Sequence, residues 1–282
     1  MQGQLIRFIL ASGNDVIIGF IVALFLVIAY FGFRMLEMMY VFKRRRPLYI
    51  HLYLRLNRLS SAQKLILDDH LSFYKKLNRK QQRYFEHRVY KFIEDKDFIG
   101  RQGQPINDEV KVLISATAVM LTFGFRDYFI GLIDTILVYP KSYYSNISDG
   151  YHKGEFNPQL RALVLSWEDF NHGYDIENDN LNLGVHEFSH AIHLNSLKER
   201  DVSSGIFSDG YKELMHLLSK DEELRLRLIT TRYFRDYAYT NQYEFIAAII
   251  ESFIENPKDI RSQFPMIYKK VKQMLNFNFA GY

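Results

Sequence analysis

The longest uninterrupted apolar run, VIIGFIVALFLVIAYFGF at residues 16 to 33, contains no charged side chain. At 1.5 Å per residue it makes a helix about 27 Å long, close to the hydrocarbon thickness of a bilayer. A single transmembrane helix is the reading this predicts. A buried core helix of that length normally keeps a polar face, and a cleaved signal peptide ends in a small-residue site that the bulky FGFRMLEMMY does not provide. Past this run the pattern becomes amphipathic. SSAQKLILDDHLSFYKKL, residues 60 to 77, predicts a helix opened by a Ser60 and Gln63 capping box, and Asn78 with Gln81 repeats that signature ahead of RKQQRYFEHRVYKFIED. GRQGQP, residues 100 to 105, is a turn-rich break, after which NDEVKVLISATAVMLTF predicts a buried helix capped by Asn107 or Asp108.

Two short runs of β-formers bounded by turn residues, ILVYP at 136 to 140 and ALVLSW at 162 to 167, predict strands. From Asn182 onward helical periodicity dominates: a histidine-rich helix, then residues 209 to 220, 221 to 234, 241 to 255 and about 264 to 275, with Pro257 and Pro265 as punctuation. The fold class is α+β and predominantly helical, with a small sheet ahead of the histidine helix. Three parts are expected: an N-terminal transmembrane anchor over 1 to 42, a basic helical juxtamembrane segment over 43 to 105, and a domain carrying the chemistry over 106 to 282.

Charge adds an orientation and a partner. Arg34 and then Lys43, Arg44, Arg45 and Arg46 follow the apolar run, whereas only Arg7 precedes it, so the positive-inside rule puts the C-terminal body in the cytoplasm of a single-pass inner-membrane protein. Residues 43 to 91 hold 14 Lys and Arg against Asp68, Asp69 and Glu86, a net +11 in a chain of net +4, which leaves 4 − 11 = −7 for the rest. A basic block directly behind a membrane span reads as a surface against anionic lipid headgroups; nucleic acid is the weaker reading of the same charge. The absence of cysteine excludes a disulfide framework, a thiolate metal site and a cysteine nucleophile.

The chemistry is concentrated in VHEFSHAIH, residues 185 to 193. His186 and His190 stand four apart, on one face of a helix, and Glu187 follows the first of them. This is HExxH, the zinc-hydrolase signature, in which the metal acidifies a water and the glutamate takes its proton. Leu181, Leu183, Val185, Phe188, Ala191, Ile192 and Leu194 bracket the polar positions. His193 lies about 10 Å along the axis from His186, too far to join both other imidazoles on one ion, which leaves it behind the ligands or in a substrate pocket. A catalytic zinc needs a third protein ligand and one open position, and without cysteine that ligand is a downstream His, Asp or Glu. In YTNQYEFIAAIIESFIENP, residues 239 to 257, Glu244 and Glu251 stand seven apart on an apolar stripe, where buried carboxylates need a partner. Glu244 is the preferred ligand and Glu251 the residue that orients a histidine.

The run LSWEDFNHG, then Asn182 and HEFSH, then EFIAAIIESFIENP followed by FPMIY, resembles the Mlc titration factor A family of zinc-dependent peptidases. The match is collinear over roughly residues 60 to 275 and includes the VLISATAV helix and the VYP strand. The resemblance implies a gluzincin-like domain similar to the catalytic domain of anthrax lethal factor, with one Zn2+ on His186, His190 and Glu244 and with Glu187 as base. It also implies Tyr237, seven residues before the ligand glutamate, as hydrogen-bond donor to the oxyanion. The sequence departs from the family pattern HEFAHKLD at its last position, where His193 stands in place of aspartate. The prototype is soluble and linked to a glucose-responsive transcriptional repressor, whereas this chain carries its own apolar span, so that partnership does not transfer. The function expected is a membrane-tethered zinc metallopeptidase acting on a peptide or protein. The alternative is a zinc-containing binding module that sequesters a regulatory protein at the membrane.

Overall fold

A computed structural model of the chain describes residues 2–145, 149–175 and 181–282. Met1–Leu48 and Tyr49–Tyr282 form two compact units. In the first, helix α1 (Gln2–Arg44) carries the apolar run, with every side chain from residue 15 to 31 exposed. Among the described residues it is the one helix long and apolar enough to cross a membrane. Its last turn holds Lys43 and Arg44, cations that favour a helix C-terminus, and the chain leaves through Arg45 in the left-handed region at φ 53°.

The second unit contains, among the described residues, strands β1 (Asp97–Gly100), β2 (Thr135–Tyr139), β3 (Tyr143–Ser145), β4 (Gly150–His152), β5 (Gly154–Asn157) and β6 (Ala162–Ser166). Four of them form a sheet in the order β1-β2-β6-β5, parallel except for β5, which runs antiparallel to β6 at the edge. All five residues of β6 are buried, as an inner strand covered on both faces requires, whereas β2 alternates. β3 and β4 make a separate antiparallel hairpin.

The remaining helices are α2 (Ser61–His70), α3 (Ser72–Lys76), α4 (Arg79–Asp95), α5 (Asp108–Leu121), α6 (Trp167–Asp175), α7 (Leu183–Lys198), α8 (Val202–Lys220), α9 (Glu222–Thr230), α10 (Gln242–Glu255), α11 (Pro257–Gln263) and α12 (Pro265–Met274). Both capping boxes form, Ser60 with Gln63 and Asn78 with Gln81, and Asn107 rather than Asp108 caps α5. The helix expected over 60 to 77 is broken at Leu71, whose ψ of 94° is extended. Leu71, Phe73, Tyr74 and Leu77 around this break are buried in the core. Helix α5 packs against α2, α4 and α7, which explains why it is buried from Val112 to Leu121 without a polar face.

Arg88 is the exception within the basic segment. It is fully buried, and its guanidinium donates to the carbonyls of Thr122, Phe123, Phe125 and Ile50 and to the Tyr53 hydroxyl. Two of those carbonyls close the C-terminal end of α5, where a helix leaves acceptors unsatisfied. Arg88 therefore does not face lipid headgroups; it ties the segment 50–53 to the body through Ile50 and Tyr53. Lys64 is likewise engaged, at 2.8 Å from the Glu86 carboxylate.

Candidate metal centre

Helix α7 starts where its sequence says it should. The Asn182 side chain accepts from the Val185 backbone N–H at 3.0 Å and donates to the Gly173 carbonyl at 3.0 Å, which ties the N-terminus of α7 to α6. A Cβ on Gly184 would come within 2.5 Å of the Phe170 ring, so glycine permits the close approach of these two helices. With α7 fixed, His186 and His190 project from one face, and their Nε2 atoms lie 3.1 Å apart.

Helix α10 supplies the third group. Asn241 caps it, accepting from the N–H groups of Tyr243 and Glu244 at 2.9 Å each, and this places Glu244 in the first turn, where the helix dipole favours a carboxylate. Glu244 Oε2 lies 3.1 Å from His186 Nε2 and 3.3 Å from His190 Nε2. A tetrahedral ion with bonds of about 2.0–2.1 Å holds its ligand atoms about 3.3 Å apart, so the triangle of donors has the size a zinc ion needs. His186, His190 and Glu244 are the group of described residues able to share a metal ion.

The groups behind the triangle set its orientation. Glu251, two helical turns further along α10 and 3% exposed, faces His186 Nδ1 at 3.3 Å with one oxygen. Its other oxygen accepts from the Asn182 backbone N–H at 2.7 Å and from Arg235 at 3.3 Å. Such a carboxylate on the far nitrogen leaves Nε2 with its lone pair toward the metal. His190 is held differently, by a ring stack on Tyr243 at 3.7 Å and 7°. His193 lies apart from the triangle. It packs against Tyr211 at 4.3 Å and Phe207 at 6.2 Å, and neither ring nitrogen has a hydrogen-bond partner among the described residues. Burial lowers its pKa to about 4, so it is a neutral packing residue.

The cluster brings two histidines and several carboxylates into electrostatic contact. Burial disfavours a charged His186, yet hydrogen bonds to Glu244 and Glu251 outweigh this and raise its pKa to about 10. Burial lowers the pKa of His190, against the pull of Glu244. Glu244 is opposed by burial too, but the two histidines hold its carboxyl far below the usual carboxylate range. Glu187 is pushed up to about 7 by burial, opposed by His186 and reinforced by Glu244. A carboxyl with that pKa exchanges protons near neutrality.

Glu187 couples electrostatically to His186 and Glu244, lines the same cleft as His186, and accepts from the Phe156 backbone N–H of the edge strand. Gly154 on the same strand makes room for it: a Cβ there would sit 2.7 Å from Leu183 Cδ1 and 2.9 Å from Glu187 Cγ. Tyr237 stands on a short 3-10 turn, Asp236–Tyr239, is 60% exposed, and bonds the Glu244 carboxylate through its hydroxyl. Burial of the hydroxyl, with the Glu244 and Glu187 charges, pushes its pKa to about 12, so it is a proton donor at neutral pH. These groups open into a cleft of about 530 Å³ whose walls include Tyr151, His152, Leu183, Phe234 and Arg235. Leu181 lies before the helix on the rim of this cleft, 43% exposed, and does not pack in the core as its sequence position suggests.

A profile described as glucose-regulated metallo-peptidase M90 matches residues 42–276. The chain belongs to this family. A relative within reach of curated sequences is an uncharacterized protein of Synechocystis sp., 27% identical over 232 residues, which are 74% of this chain and 81% of the relative. M90 membership makes a metal ion at the His, His and Glu cluster the expectation of the family, and a peptide or protein the class of substrate. Sequence reasoning on this M90 chain missed Tyr243, Gly154 and Arg235. Tyr243 stacks on a ligand only because α10 runs beside α7, and Gly154 matters only because β5 crosses Glu187; neither is visible in local spacing. Asn182 could have been found as a cap, since an N-cap asparagine three residues before Val185 is a local signal.

Proposed function

We propose that this M90 chain is a zinc-dependent metallopeptidase tethered to the inner membrane by residues 1 to 42, with its catalytic unit in the cytoplasm. The observation that carries the reading is the triangle of donors at 3.1–3.3 Å with a buried, near-neutral Glu187 beside it. A structural metal site has no use for such a base. His186, His190 and Glu244 would hold the ion, and zinc supplies Lewis acidity that polarises a carbonyl and acidifies water. Glu187 takes a proton from the attacking water, whose oxygen joins the carbonyl carbon. It then delivers that proton to the amide nitrogen as the C–N bond breaks. Tyr237 donates its hydroxyl hydrogen to the developing oxyanion. Glu251 and Tyr243 keep the two imidazoles in place, so little reorganisation accompanies the reaction. The likeness to the anthrax lethal factor catalytic domain, implied by the sequence resemblance, is proposed on the same footing. The membrane side rests on the charge asymmetry around α1.

Metal analysis tests the ligand assignment. Purified wild type should carry one zinc per chain, and His190→Ala and Glu244→Ala should each lose it while remaining folded. Zinc retained at wild-type level by both variants would overturn the assignment.

A further inference from the structure

Residues 49 to 58, YIHLYLRLNR, open the second unit and form neither helix nor strand. Burial alternates from residue 51 to 54. His51 and Tyr53 turn inward, His51 stacking on Tyr84 at 4.7 Å and Tyr53 against His87 at 4.4 Å. Arg88 fixes this inner face by donating to the Ile50 carbonyl at 3.2 Å and to the Tyr53 hydroxyl. Leu52 and Leu54 therefore have nowhere to go but outward: Leu52 is 74% exposed and Leu54 wholly so. Mobile tails leave apolar side chains exposed without consequence, but this segment is pinned, and both of its leucines stay exposed. Arg55 and Arg58 follow on the same segment and are exposed. Lys80 adds a third cation beside it, over the Tyr84 ring at 5.9 Å.

The chemistry of what would cover this ridge follows from the pairing of leucine with arginine and from the place of the ridge in the chain. Aliphatic tips beside guanidinium groups fit the boundary between acyl chains and phosphates. A second copy would set Arg55, Arg58 and Lys80 against the same cations. Leu52 is only eight residue steps from Arg44 at the end of α1, at most about 28 Å of extended chain. We propose that residues 49 to 58 form a membrane-contact ridge, in which Leu52 and Leu54 enter the leaflet and Arg55 and Arg58 pair with anionic headgroup phosphates. The inference rests on the reading of α1 as a membrane span. The ridge gives the peptidase unit a second point of attachment, which a single flexible linker would not. The cleft is then held in one orientation to the bilayer and favours substrates presented near its surface.

The chain has no cysteine, so single labels can be placed cleanly. Full-length Leu54→Cys, Phe25→Cys and Leu226→Cys proteins would carry an environment-sensitive NBD group in vesicles of phosphatidylcholine and phosphatidylglycerol in equal parts. Phe25 is 68% exposed on α1, and Leu226 is 55% exposed on α9, remote in sequence from the ridge. Blue-shifted emission at 25 and 54, lost when nitroxide-labelled lipid is included, with no loss at 226, is the expected result. Loss at 25 but not at 54 would overturn the ridge and leave the tether standing. No loss at either would overturn both. Blue-shifted emission at 54 that nitroxide lipid does not quench would mean that protein, not lipid, covers the leucines, and would also overturn the proposal. In vesicles of phosphatidylcholine alone the loss at 54 should diminish while that at 25 persists, because headgroup charge acts only on the ridge.

Discussion

Replacing Glu251 by glutamine separates the charge behind the metal triangle from its shape. The glutamine can still accept from the Asn182 N–H, which Glu251 meets at 2.7 Å, but it brings no negative charge to His186 Nδ1 at 3.3 Å. Partners of this kind change metal affinity by about 10- to 100-fold, or about 1.4–2.7 kcal/mol. The variant should therefore bind zinc that much more weakly, measured by competition with a chelator of known affinity. Proton release gives a second readout. In the metal-free wild type His186 has a pKa of about 10 because two carboxylates outweigh its burial, so at pH 8 it is protonated and must lose that proton to bind a metal. Calorimetry in buffers of different ionisation heat should show about one proton released by wild type at pH 8 and a smaller fraction by Glu251→Gln. Equal zinc affinity and equal proton release in the two proteins would refute the role given to Glu251.

Gly154→Ala should cost about 1–3 kcal/mol of stability in denaturant unfolding, because its Cβ would press on Leu183 and Glu187, and it should slow hydrolysis while zinc stays bound. Tyr237→Phe should lower kcat by about 100- to 1,000-fold with little change in KM, as expected for loss of one oxyanion donor; a change confined to KM would contradict that role. The metal-free protein should also show a pH dependence traceable to Glu187. Its folded pKa, about 7, lies above the ordinary 4.5, so its contribution to stability is complete below pH 4.5 and lost as pH rises through 7. Melting temperatures of apo wild type at pH 5 and 8 should therefore differ by more than those of apo Glu187→Gln, and identical differences would exclude the shift.

How far the sequence reached depended on whether a feature is local. Histidine spacing on α7, the capping boxes of α2 and α4, and the two carboxylates on α10 all follow from helical periodicity, and the structure brings His186, His190, Glu244 and Glu251 together. Strands β2 and β6 were legible because they are apolar and β-rich. Strands β1 and β5, DFIG and GEFN, were not, since edge strands of four residues with polar positions have no periodicity to detect. Yet β5 carries the backbone donor and the glycine that shape the surroundings of Glu187. Arg88 shows the same limit from the other direction. In sequence it is one more cation of a basic block, and only tertiary packing turns it into a buried cap for α5.

The central claim is that Glu187 moves the proton in a zinc-dependent hydrolysis, and the most direct measurement compares wild type with Glu187→Gln on a panel of peptides at equal zinc content. Glutamine keeps the volume and can still accept from the Phe156 N–H, so the triangle of donors should stay filled. The account predicts a loss of about 100- to 10,000-fold in hydrolysis with zinc unchanged. Equal rates from the two proteins would contradict it.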